Sequence, residues 1–239
     1  DLDPAKWGYD VGNSGWGNNE LEYYTAESVK IENNLIISAQ RTPANSPLQC
    51  YYGPAQWTSG KIHTAGKVGF KFGRIEIKAK LPSGIGTWPA LWLLGANLID
   101  GVAWPHCGEI DILENMGVNP FQVQGTIHGD GYFGEDGLTK IIQSPTVLSE
   151  DFHNFAIAWN EEYIEWFFDG ESYNKITKSS VEAMGKPWPF SQEFYLIMNL
   201  AIGGWFAGEV DPKLESAQLE IESIKYFSLD GVGELFLHE

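Results

Sequence analysis

The chain has 239 residues, 43% of them hydrophobic, with ten tryptophans and a formal net charge of −17. So apolar a composition excludes a disordered chain, and so acidic a balance excludes a nucleic-acid or anionic-membrane partner, because those surfaces are held by clustered Lys and Arg. The same field repels sulfated or carboxylated polymers, and the absence of any run of about 18 apolar residues leaves no membrane-spanning helix to expect.

The sequence opens at Asp1 with neither Met nor a basic-then-apolar leader, as it would after removal of a signal peptide, so a secreted protein is the expectation. No fixed-period repeat and no Pro/Ser-rich linker interrupts residues 1–239. All-β chains of about 200–250 residues commonly form one domain, so a single domain and a monomer are expected. Short β-branched or aromatic runs bounded by Gly, Asn, Asp or Pro predict strands at 33–40, 73–81, 153–160, 162–170, 194–202 and 218–227. In 73–81 the alternation puts Ile75, Ile77 and Ala79 on one face and Arg74, Glu76, Lys78 and Lys80 on the other. Turns are predicted near Asn160–Glu162 and at Asp169-Gly170, and the one helical pattern is a two-turn stretch at 179–185. Cys50 and Cys107 are expected to be unpaired, buried thiols. Many short strands without helical crossovers predict an all-β fold, an antiparallel sandwich or jelly roll.

The stretch "WPHCGEIDILENMG" (104–117) sets three acids among apolar neighbours. In a strand Glu109 and Asp111 share one face while Ile110 points to the core, and Glu114, five positions on from Glu109, falls on the core side. One extra residue bulged out near Ile112-Leu113 returns Glu114 to the face of the other two. A strand with one solvated face accounts for Glu109 and Asp111 but buries Glu114 without a partner. A calcium loop lacks its alternating oxygens and sharp Gly turn. A pair of glycosidase carboxylates with an acid between them uses all three, since retaining hydrolysis needs two carboxyls about 5–5.5 Å apart.

The stretch "GEIDILEN" resembles the E-x-D-x-x-E signature of glycoside hydrolase family 16, in its bacterial laminarinase-like branch. "GWGNNELEYYT" (15–25), "FGRIEIKAKLPSGIGTWPALWLLG" (72–95), "GTIHGDGYF" (125–133) and "NLAIGGWFAG" (199–208) are similar to family segments in the same order. The resemblance implies a β-jelly-roll sandwich of two curved antiparallel sheets with a substrate groove on the concave face. It implies endo-acting, retaining hydrolysis of β-1,3-glucosidic linkages in laminarin-type glucans, with mixed-linkage β-1,3-1,4-glucans as further substrates. Glu109 would be the nucleophile, Asp111 its hydrogen-bonding assistant and Glu114 the general acid/base. Arg74 would donate to sugar hydroxyls near the nucleophile; a surface salt bridge with Glu76 is its alternative. Trp88, Trp92 and Trp104 would form sugar platforms or, alternatively, core. His128 would stand next to the acid/base, with Asn18 and Trp205 in the glycone-side subsites.

The match has departures. Many relatives bind a structural calcium through an Asp of the closing strand, where this chain has Glu222 or Ser223, which argues against that calcium; the hydrolysis itself requires no cofactor. "GGWFAG" differs from the frequent G-G-x-W-P-G, and "LDGVGELFLHE" has no counterpart. A non-catalytic β-glucan-binding module has the same fold, but binding-only relatives typically lose one or both Glu, and both are present here. The partner expected is therefore a neutral β-glucan.

Overall fold

The computed structural model describes residues 2–238. Its strands stack into two large sheets. The first runs, edge to edge, through Gly8–Tyr9, Lys61–His63, Phe194–Ile202, Thr87–Gly95, Glu109–Glu114, Gln122–His128 and Leu138–Gln143. The second runs through Glu171–Thr177, Tyr163–Phe168, His153–Trp159, Gly73–Lys80, Ser216–Phe227, Leu35–Arg41, Trp57–Ser59 and Glu22–Tyr24. Pairing is antiparallel, with one departure from the all-antiparallel expectation: Glu22–Tyr24 runs parallel to Trp57–Ser59. The chain between them contains Val29–Ile31 and Leu35–Arg41, long enough for the crossover a parallel pair needs.

Alternation decides which side chains meet between the sheets. Ile75, Ile77 and Ala79 from the second sheet, with Phe155, Ile157 and Trp166, pack against Leu91, Leu93, Ile110 and Leu113 from the first in one continuous cluster. Each fully buried aliphatic side chain of this kind contributes about 1.5–3 kcal/mol. Phe194–Ile202 is buried along its whole length. One of its faces joins this core and the other packs with Leu94, Cys107, Trp88 and Ala207, which explains its unbroken apolar run and makes its carboxamide, Asn199, conspicuous.

The local signals resolve as the residues suggest. Asp169 (φ 47°) and Gly170 (φ 87°) form the tight turn between Tyr163–Phe168 and Glu171–Thr177. The short helix is Lys178–Ala183, capped by Thr177, whose hydroxyl accepts from Ser180 N–H at 3.2 Å. Cys50 and Cys107 are unpaired and buried. The C-terminal stretch without a family counterpart forms Glu234–Leu237, which pairs with Val68–Lys71.

Candidate active site

The strand Glu109–Glu114 is bulged. Against Gln122–His128, Asp111 pairs with Thr126 and Glu114 with Gln124, so three steps on one strand match two on the other. Against Thr87–Gly95, Asp111 faces Trp92 and Leu113 faces Leu91, so Ile112 has no opposite residue. Ile112 and Leu113 are both buried, and Glu114 returns to the outer face with Glu109 and Asp111. Trp166 reaches across the sandwich and donates its indole N–H to the backbone carbonyl of Asp111 at 2.9 Å. That bond satisfies a buried carbonyl beside the irregular pairing.

Donors converge on the three acids. Trp104 Nε1–H donates to Glu109 Oε2 at 2.6 Å, and Trp88 Nε1–H donates to Glu114 Oε1 at 3.1 Å. His128 Nε2 lies 3.1 Å from Asp111 Oδ2 and 3.8 Å from Glu109 Oε1. Burial and the Asp111 charge push the Glu109 carboxyl up to about 8, against the opposing pull of His128 and Trp104. Burial, then the Glu114 charge, holds Asp111 well above the usual carboxylate range. Burial pushes Glu114 up to about 7, with His128 opposing and Glu109 reinforcing the shift.

Near neutral pH such a cluster carries both a carboxylate and a carboxylic acid, which is what retaining glycoside hydrolysis requires. The values of about 8 and about 7 do not by themselves separate nucleophile from acid. Nor do the contacts, since Trp104 and His128 favour the Glu109 carboxylate and Trp88 and His128 favour that of Glu114 in the same way. The ligand atoms of Glu109, Asp111 and His128 also lie within 4.8 Å of one another, a donor set that a cation could take in competition with those protons.

The other predicted residues divide. Trp92 lies opposite Asp111 and is half-buried, its Nε1–H donating to Asn199 Oδ1 at 2.8 Å. Trp88 is buried and packs at 4.7 Å, centroid to centroid, on Phe206, so it meets the site through its N–H and not through an open ring face. Trp104 is 42% exposed and Trp205 is 73% exposed, leaving flat apolar surface free beside the acids and on the Gly204–Ala207 turn of helix. Asn18 is tied to that turn, its carbonyl accepting from Trp205 N–H at 2.8 Å.

His128 pairs in register with Glu109, lies 3.1 Å from Asp111 and also acts on Glu114, so it stands among all three acids. One expectation needs correction. Arg74 lies on the second sheet, and because Ile75, Ile77 and Ala79 face the core, Arg74 faces away from the catalytic sheet altogether. There it bonds Glu76 at 2.6 Å and stacks at 4.2 Å over the Phe167 ring. The salt bridge with Glu76 is therefore the outcome, and Arg74 has no place in the groove.

Sequence reasoning missed Phe133, 44% exposed with its ring edge-on to Trp104 at 5.4 Å. It also missed Lys61, whose ammonium lies 4.3 Å from the Trp16 ring and 5.5 Å from that of Trp92. Asn199 carried a usable signal as a lone carboxamide within "FYLIMNLAI". The closing strand does not fit a calcium: Glu222 is held by Lys78 Nζ at 2.8 Å, an ammonium where a cation would have to sit, and Ser223 adds no charge.

Comparison with known proteins agrees with this geometry. The family model for glycosyl hydrolases family 16 matches residues 15–225. A beta-glucanase of Rhodothermus marinus is 43% identical over 239 residues, covering 94% of this chain and 80% of that protein. The laminarinase catalytic domain of Thermotoga maritima superposes with a TM-score of 0.90 at 40% identity, covering 95% of this chain and 93% of that one. The endo-β-1,3-glucanase of Pyrococcus furiosus also gives 0.90 at 40% identity, covering 95% and 90%. The two sheets are thus the β-jelly-roll sandwich of these enzymes.

Proposed function

The chain belongs to the glycosyl hydrolases of family 16, and from that premise we propose that it is an endo-acting, retaining β-1,3-glucanase that cleaves laminarin-type glucans and accepts mixed β-1,3-1,4 linkages. The observation that carries this is the bulged strand, which turns Glu109, Asp111 and Glu114 to one face and gives each a polar neighbour. Glu109, ionised, attacks the anomeric carbon while Glu114 protonates the departing oxygen. Glu114 then takes a proton from water, and the water displaces Glu109. Asp111 and His128 keep proton and charge in balance around the nucleophile.

Trp104 and Trp205 offer open indole faces for pyranose rings, with Asn18 beside Trp205 as a hydroxyl partner. Trp92 and Trp88 support the floor between them and the acids. A net charge of −17 favours a neutral polymer over sulfated or carboxylated ones. Residues 1–239 act as one catalytic domain, supported by the continuous core between the sheets, and as a monomer. The activity is placed outside the cell, where a polymer too large to be imported is met.

A polysaccharide panel with timed product analysis tests the activity, its linkage preference and its mode of attack. Laminarin should yield a ladder of oligosaccharides early, mixed-linkage glucan should be cleaved, and cellulose and carrageenan should not. Carrageenan cleaved as fast as laminarin, or glucose as the sole early product, would overturn it.

A further inference from the structure

A line of hydrogen bonds leads away from the acids under the binding face, and the reaction chemistry does not use it. It begins at Trp92, whose Nε1–H donates to Asn199 Oδ1 at 2.8 Å. An indole N–H can only donate, so this bond fixes which way the Asn199 amide points. Its Nδ2 then donates to the Tyr24 hydroxyl at 3.1 Å, and Tyr24 in turn donates to Glu20 Oε2 at 3.1 Å. The other Glu20 oxygen, Oε1, accepts from Asn18 Nδ2 at 2.9 Å. Both Glu20 oxygens are therefore acceptors, and the residue is buried with Tyr24 and Asn199.

Its neighbour Glu22 is also buried, with Oε2 accepting from Ile202 N–H at 2.7 Å. Burial and the Glu20 charge hold Glu22 well above the usual carboxylate range. The Asn18 backbone is locked as well: Gly204 has φ 76°, and a Cβ there would meet the Asn18 carbonyl at 2.7 Å. Only glycine lets the Trp205 turn approach that closely.

We propose that Glu20 is a positioning residue for glucan binding: by accepting from Asn18 Nδ2 it leaves Asn18 Oδ1 as the atom presented to a sugar hydroxyl, and it ties that orientation to the Trp92 indole. The role rests on the glucanase function proposed above and adds to it the residue that sets the polarity of the Asn18 subsite. Asn18 is half-buried, and its Oδ1 takes no hydrogen bond from the described residues, which leaves that oxygen for a ligand.

Glu20→Gln tests this without changing size. With its oxygen kept by Tyr24, the new amide turns a donor toward Asn18 Nδ2, and the clash is relieved when Asn18 turns over and presents N–H₂ outward. KM for laminari-oligosaccharides should rise about tenfold, the loss of one hydrogen bond, with kcat within about twofold. An aryl β-glucoside that fills only the ring at the cleavage point should be unaffected. The double variant Asn18→Asp with Glu20→Gln exchanges donor and acceptor, restores an outward oxygen, and should bring KM back to within about threefold. An unchanged KM in Glu20→Gln, or a double variant no better than the single one at equal melting temperature, overturns the proposal. If Glu20→Gln alone does not fold, Asn18→Asp alone sets two carboxylates together and should raise KM, with recovery in the double variant; equal KM in those two overturns it also. Laminarin hydrolysis by the unaltered protein reads the glucanase function separately: its absence rejects both proposals, and its presence with no KM effect rejects only this one.

Discussion

Trp166, on the sheet opposite the acids, donates its indole N–H to the backbone carbonyl of Asp111 at 2.9 Å, and so pins the catalytic strand at its bulge. Trp166→Phe keeps most of the buried ring and leaves that carbonyl unpaired. The variant should lose about 1–3 kcal/mol of stability in denaturant unfolding. Activity on laminarin should fall with it, by about tenfold in kcat/KM, because Asp111 and Glu114 lie on either side of the pinned point. A loss of stability with full activity would mean that the bulge holds its shape without the bond.

The acids should be a liability to the fold. Burial raises Glu109 to about 8 and Glu114 to about 7 from ordinary values of 4.5, and it raises Asp111 as well. Below about pH 4 these groups are protonated in the folded and unfolded chain alike, and their contribution is intact. As pH rises, the unfolded chain releases protons that the folded cluster keeps, so stability falls through pH 7 to 8. Glu109→Gln should therefore melt about 3–6 °C higher than the parent at pH 8, a gain of about 1–2 kcal/mol, and gain little at pH 4. A lower melting temperature at pH 8 would contradict the burial of a like-charged cluster.

The alkaline limb of activity should belong to Glu114. As the acid it must hold a proton while Glu109 must be ionised. With these carboxyls at about 7 and about 8, kcat/KM should peak between the two values and decline as pH rises above about 8, where Glu114 has lost its proton. With an aryl β-glucoside whose leaving group needs no protonation, the glycosylation rate of Glu114→Ala should lose that limb. Persistence of the limb in this variant would assign it to another group.

Azide separates the two glutamates by stereochemistry. Glu114→Ala should form the glycosyl-enzyme from the activated substrate and stall, and azide should then release a β-glycosyl azide. In Glu109→Ala the attack comes from the vacated side and gives the α-glycosyl azide. Asp111→Asn should impair turnover less than either, because it removes no group that makes or breaks a bond. Product anomers are read by proton NMR, and the reverse pairing would exchange the roles of Glu109 and Glu114.

Arg74→Ala should leave KM and kcat for laminarin within about twofold. Its partners are Glu76 and Phe167 on the outer face of the second sheet, and a partly exposed pair of that kind contributes about 0–1 kcal/mol. A KM increase of tenfold would place Arg74 back against the substrate.

Much of this protein was determined by short-range pattern alone. Alternation defined the strand at Gly73–Lys80 and its two faces, and the spacing of Glu109, Asp111 and Glu114 demanded one bulged residue, because side chains in a strand change face at every step. What alternation cannot supply is the sheet to which a face belongs, since that depends on pairing between distant strands. The residues around Arg74 carried a family pattern, yet its position opposite Ala158 and Phe227 put it on the far side of the sandwich. His128 was likewise legible as a site residue, but only the register that sets it opposite Glu109 decided how closely it approaches each of the acids. The line from Trp92 through Asn199 and Tyr24 to Glu20 spans residues 20 to 199 of the chain. No local signal could join them, because hydrogen bonds between side chains so far apart exist only once tertiary packing has removed water from around them.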